Sequence, residues 1–162
     1  MNRKDKQILL GLVALLALLL AVSTALWYLK EEKTGFVPPE FDENAVSGTP
    51  QIPEGANYQL LDIKEGYKVR MCVNPTVSDG YLSLYFTSDP DNTLWVSAMI
   101  LSEEGNILGR TGILRPGEYL TKVPVTGELR HGENVIVKIL SYEWETYYSL
   151  GAANAQIQVN TQ

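Results

Sequence analysis

Tyr81-Leu82-Ser83-Leu84-Tyr85-Phe86-Thr87 is the stretch on which the fold turns. On an extended chain successive side chains point to opposite faces, so Leu82, Leu84 and Phe86 share one face and Ser83, Tyr85 and Thr87 the other. This period predicts a strand with one side in a core and one toward solvent. Working outward, Ile157 and Val159 alternate with Gln156 and Gln158 in the same way. Predicted strands are Tyr67–Val73, Tyr81–Thr87, Thr93–Leu101, Asn106–Arg110, Glu118–Val123, Val135–Tyr142 and Ala155–Val159, with a further one near Gln59–Ile63. Turn residues separate them: Asp79-Gly80, Asp89-Pro90-Asp91-Asn92, Glu104-Gly105-Asn106, Arg115-Pro116-Gly117 and His131-Gly132. No segment of helical period follows residue 30. Short strands at this spacing over 58–162 predict an all-β, two-sheet antiparallel sandwich.

Two local patterns point that sandwich toward an immunoglobulin-like topology. Leu114-Arg115-Pro116-Gly117-Glu118-Tyr119 resembles the Pro-Gly turn that introduces a strand in bacterial sandwiches of this kind. Leu129-Arg130-His131-Gly132-Glu133-Asn134, leading into Val135-Ile136-Val137, is similar to the Leu-x-x-Gly corner before a core strand. Asn134 stands where a corner tyrosine is common. Gly105-Asn106-Ile107-Leu108-Gly109, the Arg115–Tyr119 stretch, Ser141-Tyr142-Glu143 and Glu145-Thr146-Tyr147-Tyr148-Ser149 together resemble uncharacterised single-pass exported proteins of Gram-positive bacteria with an Ig-like domain. The resemblance covers Tyr67 onward. It implies a cell-envelope or mobile-element setting and a fold, not a chemistry.

Residues 8–29, Ile8 to Leu29, carry no charge. As a helix they reach roughly 33 Å, the thickness of a bilayer core. Arg3, Lys4 and Lys6 against Asp5 precede the segment, whereas Lys30, Glu31, Glu32 and Lys33 cancel after it. That asymmetry predicts an N-terminus held in the cytoplasm (residues 1–7), a signal-anchor helix at 8–29 and an extracytoplasmic remainder. Trp27 and Tyr28 fall at the outer headgroup level on this reading. The competing reading is a cleaved signal peptide with its core at Ile8–Ala21 and cleavage after Ala25. Both export the C-terminal part. Gly11, Ala14, Ala17, Ala21 and Ala25 recur at three- and four-residue spacing and form a candidate helix-packing face, for a second copy or another protein.

Residues 30–57 read as a linker, with Pro38, Pro39, Pro50 and Pro53 among Glu40, Asp42, Glu43 and Glu54. Phe36 and Phe41 interrupt this acidic stretch as candidate docking residues, toward a partner or toward the chain's own domain. From Glu31 onward nine Lys and Arg face eighteen Asp and Glu, a net charge near −9. Such a domain lacks the cationic surface nucleic acid requires. The single Cys72 forms no intramolecular disulfide and reads as an inert, partly covered thiol.

The ingredients of catalysis are sparse. The one histidine, His131, sits in a turn, and no nucleophile elbow, Walker A or dinucleotide motif is present. Asp89, Asp91 and Asn92 read as a turn, without the spacing of a calcium loop. Glu143 and Glu145 lie on one short run, a poor arrangement for opposed acid and base roles. The best candidate site is aromatic: Tyr142, Trp144, Tyr147 and Tyr148 within seven residues, beside the predicted core strand Val135–Tyr142. Trp95, amid Leu94, Val96, Ala98 and Ile100, reads as core. The sequence therefore predicts a non-enzymatic, cofactor-free, membrane-anchored interaction or assembly module of a bacterial envelope complex such as secretion, conjugation or surface-structure machinery. The alternative is an exported carbohydrate- or cell-wall-binding module.

Overall fold

A computed structural model describes residues 3–28 and 37–161 of the chain. It divides into two compact units, Met1–Val37 and Pro38–Gln162. Among the described residues the first contains one helix, α1 (Arg3–Tyr28). Within it side chains are described for Lys6, Gly11 and 13–23, and the apolar ones among 13–22 are exposed around the whole circumference. Among the described residues no helix is long and apolar enough to cross a membrane. Leu29, and the side chains at 8–10 and 24–28, lie outside the described residues.

The second unit is all-β. In chain order its strands are β1 (Val46–Ser47), β2 (Tyr58–Ile63), β3 (Tyr67–Cys72), β4 (Thr76–Ser78), β5 (Tyr81–Leu82), β6 (Phe86–Ser88) and β7 (Trp95–Leu101). β8 (Ile107–Arg110), β9 (Glu118–Leu120), β10 (Val123–Pro124), β11 (Asn134–Tyr142), β12 (Ser149–Gln158) and β13 (Asn160–Thr161) follow. They form three sheets, ordered β1-β9-β6-β3-β2, β10-β5-β4-β13 and β12-β11-β7-β8. Neighbours are antiparallel throughout, except the parallel pair β4–β13. One core joins the sheets: Val69 and Met71 of β3, Val96 and Ile100 of β7, and Val137 and Ile139 of β11 are wholly buried.

The predicted strand Tyr81–Thr87 is two strands in two sheets. Leu82, Leu84 and Phe86 are all fully buried, as the alternation requires. Between β5 and β6, however, Tyr85 adopts a left-handed backbone with φ 52°. The chain there leaves one sheet and enters another. The crossing stays hydrogen-bonded, with Ser83 N donating to Thr76 O, Tyr85 N to Thr121 O, and Leu84 O accepting from Cys72 N. The predicted Glu118–Val123 likewise divides into β9 and β10. β12 begins at Ser149, six residues before the predicted Ala155: Gly and Ala have little strand preference, and pairing with β11 overrides it.

The turns before β9 and β11 share one construction. In Arg115-Pro116-Gly117-Glu118 the glutamate carboxylate accepts from Arg115 N at 2.7 Å, and Glu118 N donates to Arg115 O. In Arg130-His131-Gly132-Glu133 the same bonds recur, at 2.8 Å for the carboxylate. Both glycines have positive φ, 76° and 79°, where any other residue is strained.

The linker expectation for 30–57 fails from Pro38 onward, because 38–57 belongs to the compact β unit. Ile113 N donates to Glu40 O and Asp42 N to Ile113 O, so 40–42 adds to the chain beside β7 as a short edge. Asp42 then accepts from Gly112 N at 2.8 Å and from Asn44 N at 3.0 Å, and β1 pairs with β9 on another sheet. This strap lies so close to Gly112 that a Cβ there would stand 2.6 Å from Asp42 N. Residues 30–36 lie outside the described residues.

Candidate functional site

The register of β7, β11 and β12 decides what the outer face of their sheet displays. Val96, Ala98 and Ile100 point into the core, so Trp95, Ser97, Met99 and Leu101 point out. Trp95 is therefore half-buried on the surface and not a core residue. On β11 the outward residues are Ile136, Lys138, Leu140 and Tyr142, all partly exposed. Cross-strand pairing sets Tyr142 beside Trp95, Leu140 beside Ser97, Lys138 beside Met99 and Ile136 beside Leu101. The face is thus a continuous, largely apolar strip with one cation near its centre.

The turn Glu143–Tyr148 closes one end of this strip. Glu143 N donates to Tyr148 O and Tyr147 N to Glu143 O. Thr146 Oγ1 donates to the Glu143 carboxylate at 2.6 Å. Glu145 and Tyr147 hold left-handed conformations, φ 67° and 59°, each costing on the order of 1 kcal/mol or more. This tight winding separates the predicted aromatic cluster into two groups. Tyr147 folds back over Trp95, ring centroids 5.0 Å apart, while Trp144 and Tyr148 stand 50% and 70% exposed. Tyr142 stays on the sheet, its hydroxyl accepting a long 3.4 Å bond from Ser97 Oγ.

Phe41 completes the inner group. It meets Trp95 edge-on at 4.8 Å and Tyr147 at 6.4 Å, and the Arg115 guanidinium sits 3.8 Å above its ring. Arg115 also pairs with Glu118 at 3.3 Å. Of the two predicted docking residues, Phe41 therefore docks on its own domain. Phe36 lies outside the described residues. No family model matches the chain, and no curated protein matches it. Gly11, Ala14, Ala17 and Ala21 are exposed on α1, and the side chain of Ala25 lies outside the described residues.

The remaining polar residues have local structural work. Asn92 accepts from Lys68 N at 2.8 Å and donates to Lys68 O at 2.7 Å, and Asp89 accepts from Asp91 N while standing 4.0 Å from Arg70. Among the described residues no three His, Cys, Asp or Glu gather as a metal site would require. His131 is exposed, its Nδ1 3.5 Å from Thr161 N. Cys72 is buried against a cleft of about 350 Å³ whose walls include Pro53, Ala56, Ser83 and Tyr85. Burial pushes its thiol above the ordinary range, the opposite of what a nucleophile requires. Ser102 donates to the exposed Glu104 carboxylate and holds it below the usual carboxylate range.

The Trp95–Phe41–Tyr147 group is not legible as a cluster in the sequence, because Trp95 lies 54 residues from Phe41 and 52 from Tyr147. A usable signal was the phase of β7: if Val96, Ala98 and Ile100 face inward, Trp95 faces outward.

Proposed function

We propose that this chain is a non-enzymatic, membrane-anchored interaction or assembly module of a bacterial envelope complex, with an Ig-like β domain held outside the cytoplasmic membrane. The observation that supports it best is the exposed pair Trp144 and Tyr148, set at the end of the apolar strip Trp95–Tyr142–Leu140. Aromatic rings with polar tips beside a flat apolar surface suit a protein partner, since they bury large areas with few rotatable bonds. Anchoring rests on the uncharged stretch 8–29 and the cationic flank before it. An apolar helix without a polar face needs an apolar environment.

The experiment is site-specific photo-crosslinking from Trp144 or Tyr148 in cells expressing the full chain at native level. A discrete adduct with another envelope protein is the expected result; recovery of uncrosslinked chain alone overturns the reading. The carbohydrate alternative draws on the exposed ring of Trp144. The inner rings, tilted 78° and 57° to one another, provide no flat stacking platform beside it. Retention of the full chain on isolated cell wall, abolished by Trp144→Ala, would replace the protein-partner reading with this one.

A further inference from the structure

We infer that β12 is a self-association edge, which pairs antiparallel with β12 of a second copy of this chain. β12 ends its sheet: β11 lies along one side, and among the described residues no strand pairs with the other. The ladder shows which backbone groups face that open side. Val159 N donates to Glu133 O, and Ile157, Ala155 and Ala153 stand opposite Val135, Val137 and Ile139. On the two-residue alternation of an antiparallel ladder these residues turn their amides and carbonyls toward β11. Ala152, Asn154 and Gln156 turn theirs outward. A row of donors and acceptors at this spacing is satisfied by another extended strand.

Proteins commonly blunt such edges with Lys, Pro or an inward charge. From Ser149 to Gln158 there is no charged residue and no proline. β2, at the edge of the five-stranded sheet, carries Asp62 and is followed by Lys64 and Glu65, and β8 ends in Arg110.

Charge and pattern together select the occupant. Two copies of a domain with sixteen acids and eight bases repel over most of their surfaces. The uncharged edge lets them meet without placing like charges opposite each other. It is also self-complementary about Asn154. With a two-fold axis there, Asn154 faces Asn154, and Ala152 faces Gln156, a small side chain against a long amide. Leu150 is the unpaired residue of a bulge opposite Ser141 and Tyr142, so the regular edge runs from Gly151 onward. The contact is isologous and closes as a dimer. A foreign peptide would find the same backbone groups, but the short, exposed Ala152 side chain offers little to select one.

This contact uses the sheet edge and leaves the aromatic turn free, so it stands or falls apart from partner binding there. The test is disulfide trapping in the full chain. Residues directly opposite in a hydrogen-bonded antiparallel pair have Cα atoms about 5.5 Å apart, within the range a disulfide spans. Asn154→Cys, mildly oxidised as expressed at native level, is expected to give roughly ten times more dimer than wild type, whose only thiol is the buried Cys72. Ala152→Cys and Gln156→Cys chains are expected to crosslink with each other in a mixture. All three positions are exposed, so no core contact is lost. Gln59→Cys, exposed on β2, serves as the negative control. Dimer yields at wild-type level from both Asn154→Cys and the mixed pair, with melting temperatures unchanged, overturn the proposal. So does an Asn154→Cys adduct of different mass, which would mark the edge as a site for another protein's strand.

Discussion

Among the described residues, the Tyr67 hydroxyl is a buried polar atom without a hydrogen-bond partner. Burial pushes its phenol above the ordinary 10.0. The Cys72 thiol is pushed above its ordinary 9.0 by the same cause. Both groups are neutral when protonated, and the folded state holds their protons more tightly than the unfolded chain. Their contribution is therefore complete below about pH 9 and is lost as pH rises through the raised values. Thermal melting followed from pH 7 to 11 should show a midpoint that declines on the alkaline side, and Tyr67→Phe should flatten that decline above pH 10. Removing an unsatisfied hydroxyl should also stabilise the fold at neutral pH by about 1 kcal/mol. A loss of stability in Tyr67→Phe would mean the hydroxyl has a partner after all. Cys72 should resist alkylation in the native protein and react readily in denaturant, and equal rates would contradict its burial. Strand alternation sets Cys72 on the face opposite Val69 and Met71, and a one-face reading leaves it partly exposed. In the fold Cys72 is buried and shares a cleft with residues 53–56, a long-range proximity that strand alternation does not register.

The strap at 38–47 shows where element-level reading stops. Its prolines and acids describe a chain unable to form a core of its own, which is correct as far as local composition goes. Its order comes from groups 54 to 106 residues later: Gly112 N for the Asp42 carboxylate, and Trp95, Tyr147 and Arg115 around Phe41. Nothing local encodes those partners. The strands proper were more legible, because their alternation states which face is buried, and Leu82, Leu84 and Phe86 are buried as that rule demands. What alternation omits is that one apolar face can be carried across two sheets, as happens at Tyr85. The strap makes a sharp prediction. Gly112→Ala inserts a methyl group 2.6 Å from Asp42 N and 2.9 Å from Glu40 O, both backbone atoms with little freedom to yield. It should cost about 1–3 kcal/mol and open 38–47 to protease before the rest of the β unit. Denaturant melts with timed proteolysis would check this. An unchanged midpoint would show that the strap contributes little to the fold.

At the scale of the molecule, the aromatic surface performs two jobs that substitution can separate. Trp95 contacts Phe41 and Tyr147, so it clamps the strap and the β11–β12 turn onto the same end of the domain. Trp144, two residues beyond Tyr142, is half exposed and stands outside that clamp. Trp95→Ala should therefore destabilise the fold by about 2 kcal/mol, less than a fully buried ring would cost because part of its surface already faces water. Trp144→Ala should alter stability by less than about 0.5 kcal/mol, as an exposed substitution does. If the surface binds a protein, the two variants should lose crosslinked partner for different reasons. Trp144→Ala should lose it with an unchanged melting temperature. Trp95→Ala should lose it in proportion to unfolding, with recovery at lower temperature. A Trp144→Ala chain that retains its full crosslink yield would move the binding surface away from this turn, to the flat strip of Leu140, Met99 and Ile136 on the same sheet. Substituting Lys138 at the centre of that strip by Glu would then be the next discriminating change, since reversing its one central cation alters recognition while leaving the apolar packing beneath β11 in place.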